Sequence, residues 1–418
     1  MFNPEGATKR HPLIFLRIMS ILDDVKITMV RGEIEAIKCF FRKGASGKMT
    51  RTFYPVGHGA FYTERFNDKG GEWLLTMVYD CGGRSKDIVT KQIKEAFVYN
   101  DTVDWLFISH LHNDHINGVT TLLNHCNVKR IVLPALEDDL IVEALLYNYI
   151  ETDEFDNDAN KFVEQLLIGD FGSTQITKVE SFKENSNTPI SVVDSESIGK
   201  VLASGTTIEE KRINWRYYPI NLSSSNSVSI IEKLAAVANV SSSSFYLNGK
   251  LDYKKIRDVV KNIDISKVAK IYKEVFGLNH NSYSMPVVSI SAVCLSAKCT
   301  RWCHKVGETP MRCLTNCLYT GDFEAKNKFV ELQKVFDKLG IDYSKIGILQ
   351  VPHHGSKHNM DADMYKSGKI CIISAHSGDK KHPDMLVIQN IQLNNSIPIV
   401  VSENESSIQR FLIPLCYV

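Results

Sequence analysis

The chain has 418 residues, 44% of them hydrophobic and 23% charged, with a net charge of +1. That balance suits a soluble globular enzyme and excludes disordered or fibrous chains. So neutral a chain has no overall basic field for steering a polyanion, although a local basic rim stays open. No segment reaches the ~18 apolar residues needed to span a bilayer.

Residues 1–50 read as an N-terminal extension ending in the turn-rich stretch Lys43 to Lys48. Within it, Pro12 to Met19 is short, is interrupted by Arg17 and lacks a small-residue cleavage site. It reads as a core element or extension, not a signal peptide, so a cytoplasmic location is expected. The main domain, residues 51–418, opens with a predicted strand at Thr52 to Val56. Gly57 and Gly59 then flank His58, without the following pattern of a dinucleotide site. His58 reads as a surface histidine. Asn67 to Gly71 predicts a hairpin turn into a strand over Glu72 to Tyr79. Asp80-Cys81-Gly82-Gly83 follows, and residues 86–98 have helical periodicity with Ile88, Ile93, Ala96 and Phe97 on one face.

The apolar run Val103 to Ile108 predicts a buried strand, and Val119 to Leu123 predicts the start of a helix. Between them lies Ser109-His110-Leu111-His112-Asn113-Asp114-His115-Ile116-Asn117-Gly118. Three imidazoles and one carboxylate thus crowd a strand-to-helix turn. In extended chain, residues two apart point the same way, so His110 and His112 can reach one ion together. Asp114 and His115, beyond the bend, can face a second. These are ligand types that zinc, manganese and iron accept.

Val128 to Leu133 predicts another strand. From about residue 137 to 278 the pattern lapses, and the stretch reads as an inserted, partly helical subdomain bordering the site. Asn279 to Ser284 then leads into a predicted strand at Val287 to Val293. Cys294, Cys299, Cys303, Cys313 and Cys317, with His304, are spaced more loosely than a usual zinc knuckle. A structural zinc there is the weaker reading, and reduced, partly buried thiols the stronger. The ten cysteines as a whole are too sparse for a disulfide scaffold. Toward the end come Leu318-Tyr319-Thr320-Gly321-Asp322, Pro352-His353-His354-Gly355-Ser356-Lys357, Ala375-His376 and His382-Pro383. Seven of the thirteen histidines fall in these motifs, where packing alone would scatter them.

The HxHxDH segment and its flanking motifs, taken in order, resemble the metallo-β-lactamase superfamily over roughly residues 50 to 415. The PHHGS and HP elements, with Val56 to Gly59, resemble the branch typified by the nuclease-like domain of bacterial DNA-uptake competence proteins. The resemblance implies an α/β fold, the αββα sandwich, which the alternation of strand, helix and metal loop also fits. It implies that Asp80 is a structural support for the metal loop and that Asp322 bridges two metals. It implies that a late histidine among His353, His354, His376 and His382 completes the second metal. Of the adjacent pair, His354 is favoured in the site with His353 close by. Strand position favours His376 as the late ligand, while the HP match favours His382. His280 stands where many members place a ligand of the first metal, although Asn281-Ser282 matches a version without it.

Two divalent ions, zinc or manganese, would then generate a hydroxide and clamp the attacking and leaving oxygens. Asp114, His353 and His354 are the expected catalytic side chains, and Ser356, Lys357 and His358 offer donors for phosphate oxygens. The implied activity is that of a phosphodiesterase or nuclease on nucleic acid or nucleotides, with no membrane partner. A hydrolase of another ester, thioester or amide, and a catalytically silent binding module, are the alternatives.

Overall fold

The computed structural model describes residues 47–415 apart from 184–190, 223–228, 277–282, 296–304, 307–308 and 311–313, together with two short strands, Met29–Val30 and Glu33–Ile34. Strands that are buried on both faces dictate its layers. In Met77-Val78-Tyr79, Trp105-Leu106-Phe107 and Cys317-Leu318-Tyr319 every residue is apolar or aromatic and buried. Successive side chains of a strand point to opposite faces. Met77, Tyr79, Trp105, Phe107, Cys317 and Tyr319 therefore meet in a core between two sheets. Val78 and Leu106 pack under helices on one outer face, and Leu318 under helices on the other. The result is the four-layered αββα sandwich.

The first sheet has ten strands. Its middle is the antiparallel meander Gly47–Phe53, Phe61–Asp68 and Trp73–Cys81. It continues in parallel through Trp105–Phe107, Arg130–Pro134, Gln175–Val179 and Val201–Leu202. On its other side Gln409–Leu415 pairs with Gly47–Phe53, and the two short N-terminal strands extend that edge. The second sheet has eight strands, of which Cys317–Tyr319, Ile348–Gln350, Ile370–Ser374 and Ile397–Val401 run parallel. Between the sheets, Arg51 and Glu64 form a fully buried ion pair. Tyr217, Ser289 and Tyr319 also donate to the Glu64 carboxylate, which gives a charge buried that deeply the partners it requires.

Three sequence expectations differ from this arrangement. The first strand of the domain starts at Gly47, inside the stretch read as the N-terminal extension. The helix spans Lys86–Ala96 and buries Val89 and Gln92 beside the expected Ile93, while Ile88 is only partly buried. The stretch 137–278, expected as an inserted, partly helical subdomain, also contributes strands to both sheets. It supplies Gln175–Val179 and Val201–Leu202 to the first sheet, and Val192–Asp194, Thr207–Glu210 and Trp215–Pro219 to the second. Strands of two to five residues are too short to show periodicity. The helices Asp138–Thr152, Asp158–Ile168, Ile230–Ala238, Tyr253–Val260 and Ile265–Phe276 pack over the outer face of the first sheet. No described helix is long and apolar enough to cross a membrane.

Candidate metal centre

The motif residues converge just beyond the carboxyl ends of strands from both sheets, where open α/β sheets commonly bind ligands. Asp80 ends Trp73–Cys81 with a left-handed backbone, φ 52°. Its carboxylate accepts from Ser109 N (2.6 Å), Ser109 Oγ (2.7 Å) and His115 Nδ1 (2.8 Å). Because Ser109 Oγ spends its proton on Asp80, His110 Nδ1, 2.9 Å away, donates to that oxygen. One buried carboxylate thus sets the tautomers of two histidines and leaves His110 Nε2 and His115 Nε2 bare. Glycines make room for this loop. A Cβ on Gly59 (φ +111°) would stand 2.1 Å from Asp114 O, and one on Gly82 would stand 2.4 Å from the His115 carbonyl carbon.

His112 is held differently. Its Nε2 lies 3.2 Å from Glu143 Oε1, and its ring stacks on Tyr147 with centroids 3.9 Å apart. Glu143 is wholly buried, and Tyr272 and Tyr283 also donate to its carboxylate. Burial raises the Glu143 pKa, but His112 and the two tyrosine hydroxyls outweigh it and hold it below the usual carboxylate value. The carboxylate therefore stays ionised, fixes the proton on His112 Nε2 and leaves Nδ1 bare. Sequence reasoning missed Glu143. The available signal was a lone acid amid the apolar residues of Leu140-Ile141-Val142-Glu143-Ala144-Leu145-Leu146.

Asp322 follows Cys317–Tyr319 and meets this cluster from the second sheet. Its Oδ1 lies 3.2 Å from His115 Nε2 and 3.7 Å from His354 Nε2; its Oδ2 lies 3.9 Å from His110 Nε2 and 3.8 Å from His353 Nδ1. His353 and His354 occupy a turn in which both take positive φ, 49° and 53°. For non-glycine residues that conformation is costly, and it is typical of functional turns. The turn places His354 Nδ1 2.9 Å from the Ser374 carbonyl, which only accepts, so its Nε2 faces Asp114 Oδ2 at 3.0 Å. The Asn359 amide donates to His353 Nδ1 (2.7 Å) and leaves the proton of His353 on Nε2.

Two overlapping groups each bring three ligand atoms within 4.8 Å of one another: His110, His115 and Asp322, and Asp114, His115 and His354. Burial, reinforced by the neighbouring imidazoles, lowers the His110 pKa well below normal, so it is a neutral ligand. Burial also works against ionising Asp114 and Asp322, yet the surrounding histidines hold both carboxyls below their usual range. His110 Nε2 and His115 Nε2 are buried and make no hydrogen bond among the described residues. Buried polar atoms left that way are costly. A shared divalent cation would satisfy them, so the donor set fits metal.

Several sequence expectations are placed elsewhere. His112 lies beside His110, with ring centroids 4.7 Å apart, but in neither three-ligand group. His115, expected on the second ion alone, faces both groups. The late position beside Asp114 is filled by His354, not by His376 or His382. His376 Nδ1 lies 2.8 Å from Glu403 Oε2, and His382 Nδ1 lies 3.2 Å from Asp379 Oδ2. His58 is no surface histidine, because it packs half-buried against His354 with centroids 4.8 Å apart. Ser356 is buried and its Oγ caps the next turn, accepting from His358 N (3.3 Å). Lys357 is exposed and lies 3.2 Å from Asp384. His280 lies outside the described residues, as do Cys299, Cys303, His304 and Cys313. Cys294 and Cys317 are buried thiols.

The αββα sandwich carries a cluster of histidines and carboxylates at its strand ends, a donor set that fits a divalent metal. The family model of the metallo-beta-lactamase superfamily matches residues 73–236. No curated protein gives a significant match. Among solved structures, the chain is similar to MEM-A1, a subclass B3 metallo-beta-lactamase isolated from a soil metagenome library. That match has 11% identity, covers 78% of this chain and 81% of that one, and has a TM-score of 0.27. Metallo-beta-lactamase SMB-1 bound to 2-mercaptoethanesulfonate is similar at 11% identity over 75% and 82% of the two chains, with a TM-score of 0.26.

The orienting role of Glu143 has a measurable consequence. Glu143→Gln keeps the shape but removes the charge that holds the proton on His112 Nε2. Metal affinity, measured by competition with a chromogenic chelator, should fall by ~10–100-fold, the usual effect of losing a carboxylate behind a histidine ligand. An unchanged affinity would make Glu143 a packing residue.

Proposed function

We propose that the protein is a metal-dependent phosphodiesterase acting on nucleic acid or nucleotides. The observation that carries this reading is the strained histidine turn at 353–354. It aims one imidazole at Asp114 and holds a second, half-exposed one beside Asp322. His110, His115, Asp322, Asp114 and His354 would hold two divalent cations, with His112 Nδ1 alongside. When bound, such ions supply Lewis acidity and lower the pKa of water toward neutrality.

The chain's own side chains complete the chemistry. Burial lowers the His353 pKa despite Asp322, so this histidine is neutral and carries its proton on Nε2. It can donate a hydrogen bond from Nε2 to an oxygen leaving phosphorus and stabilise the charge that develops there. Asp80 and Glu143 hold the imidazole protons away from the reacting side. Arg84, Lys86 and Lys161 line an adjoining polar cavity of about 240 Å³ together with Glu154, Asp156 and Asp158. There Lys86 pairs with Asp158 at 2.7 Å, whereas Arg84 is exposed and forms no ion pair among the described residues. The exposed Arg84 guanidinium at that wall offers a donor for a phosphate oxygen.

With zinc or manganese, the protein is expected to hydrolyse bis-p-nitrophenyl phosphate or a short oligonucleotide, and a chelator should stop it. Cleavage of a thioester or lactam but of no phosphodiester would overturn the substrate class and leave the hydrolase. Failure to bind either metal on titration would remove the enzyme reading altogether.

A further inference from the structure

We propose that His58, Asp379 and His382 form a third site for a zinc-class divalent ion, built against the wall of the paired centre. Asp379 Oδ2 lies 3.0 Å from His58 Nε2 and 3.2 Å from His382 Nδ1, and the three ligand atoms fall within 4.8 Å of one another. Ligands at ~2.0–2.1 Å around a tetrahedral zinc stand about 3.3 Å apart, close to both measured separations. His58 Nε2 is a buried atom that makes no hydrogen bond among the described residues, although the Asp379 oxygen is near enough for one. The nitrogen is aimed off the line to that oxygen. Two donor atoms close together but misaligned for a hydrogen bond are arranged as two ligands of one ion are.

The fold assembles this group from distant chain. His58 sits in the glycine turn between Gly47–Phe53 and Phe61–Asp68. Asp379 and His382 sit in the loop from Ile370–Ser374 to the helix Met385–Leu393. The His58 ring packs 4.8 Å from His354 and 5.7 Å from His382, and the His382 ring 6.1 Å from His353 (centroid distances). The third group therefore borders the two histidines of the paired centre without sharing a ligand with it. All three residues are half-exposed, which leaves a side of the ion open to water or to a substrate oxygen. Two imidazoles and one carboxylate with an open position suit zinc, or manganese more weakly. Charge placed there would engage an anionic group next to the bond being cut. That use rests on the phosphodiesterase reading; binding of the ion does not.

Equilibrium dialysis of metal-free protein against zinc, read by elemental analysis, tests the site. Wild type should bind three ions, and His58→Gln and Asp379→Asn two each, with unchanged circular dichroism. An equal count in wild type and both variants would overturn the third site. Asp322→Ala serves as the control for the paired centre. If wild type binds a single ion, lost in Asp379→Asn but kept in Asp322→Ala, the third site stands and the paired centre fails. Anomalous diffraction at the zinc edge, on zinc-saturated wild-type crystals, needs no variant. A peak between His58, Asp379 and His382 is expected there, and its absence overturns the proposal.

Discussion

Asp322→Ala is expected to abolish hydrolysis, lowering kcat/KM by about 10⁴-fold or more, which corresponds to ~5.5 kcal/mol of lost transition-state stabilisation. Imidazoles from two segments converge on its two oxygens, His110 and His115 from one side and His353 and His354 from the other. Removing the carboxylate takes away the anion that offsets repulsion between two close cations. It also strips a ligand from the group that Asp322 forms with His110 and His115. Metal content should therefore fall together with activity, while circular dichroism stays unchanged, because the sandwich core lies elsewhere. His280→Ala should cost less, since only a resemblance in sequence connects that residue to one ion. Equal loss in the two variants would make His280 a full ligand. Retention of both ions by Asp322→Ala would remove Asp322 from the centre.

His354→Ala is expected to slow turnover by ~10²–10⁴-fold, the scale associated with a positioned catalytic group, and to release one equivalent of metal. The second readout follows from geometry. Its Nδ1 is tied to the Ser374 carbonyl, and its Nε2 lies 3.0 Å from Asp114. Because the Asp114 carboxyl is held ionised by His115 and His354 against the cost of burial, a proton or a cation must lie between the two groups. If the variant keeps full metal content yet loses activity, His354 is a proton donor and not a ligand. His353→Ala should keep its metal and lose rate, because its Nε2 proton, on the nitrogen turned away from Asn359, serves as a hydrogen-bond donor to the leaving oxygen.

What the sequence determined by itself was local. Six consecutive positions, His110 to His115, carry most of the ligand chemistry, and the apolar strand before them forces that turn to a sheet end. Neighbours in chain must be neighbours in space, so the composition of the turn was enough to read a metal centre. The both-sides-buried strands were legible for a similar reason, since residues such as those from Trp105 to Phe107 leave no polar face for solvent. The tertiary structure decided every pairing that crosses the fold. It set His354, and not His376 or His382, beside Asp114, because a left-handed turn swings one imidazole inward while loop carboxylates, Glu403 and Asp379, engage the other two. It also brought Glu143 behind His112, placed His58 beside Asp379 across more than three hundred residues, and threaded the strands of 175–219 into both sheets. Such contacts depend on loop paths and on strands too short to carry a period, and sequence periodicity reports only which face of an element is buried, not which partner it meets.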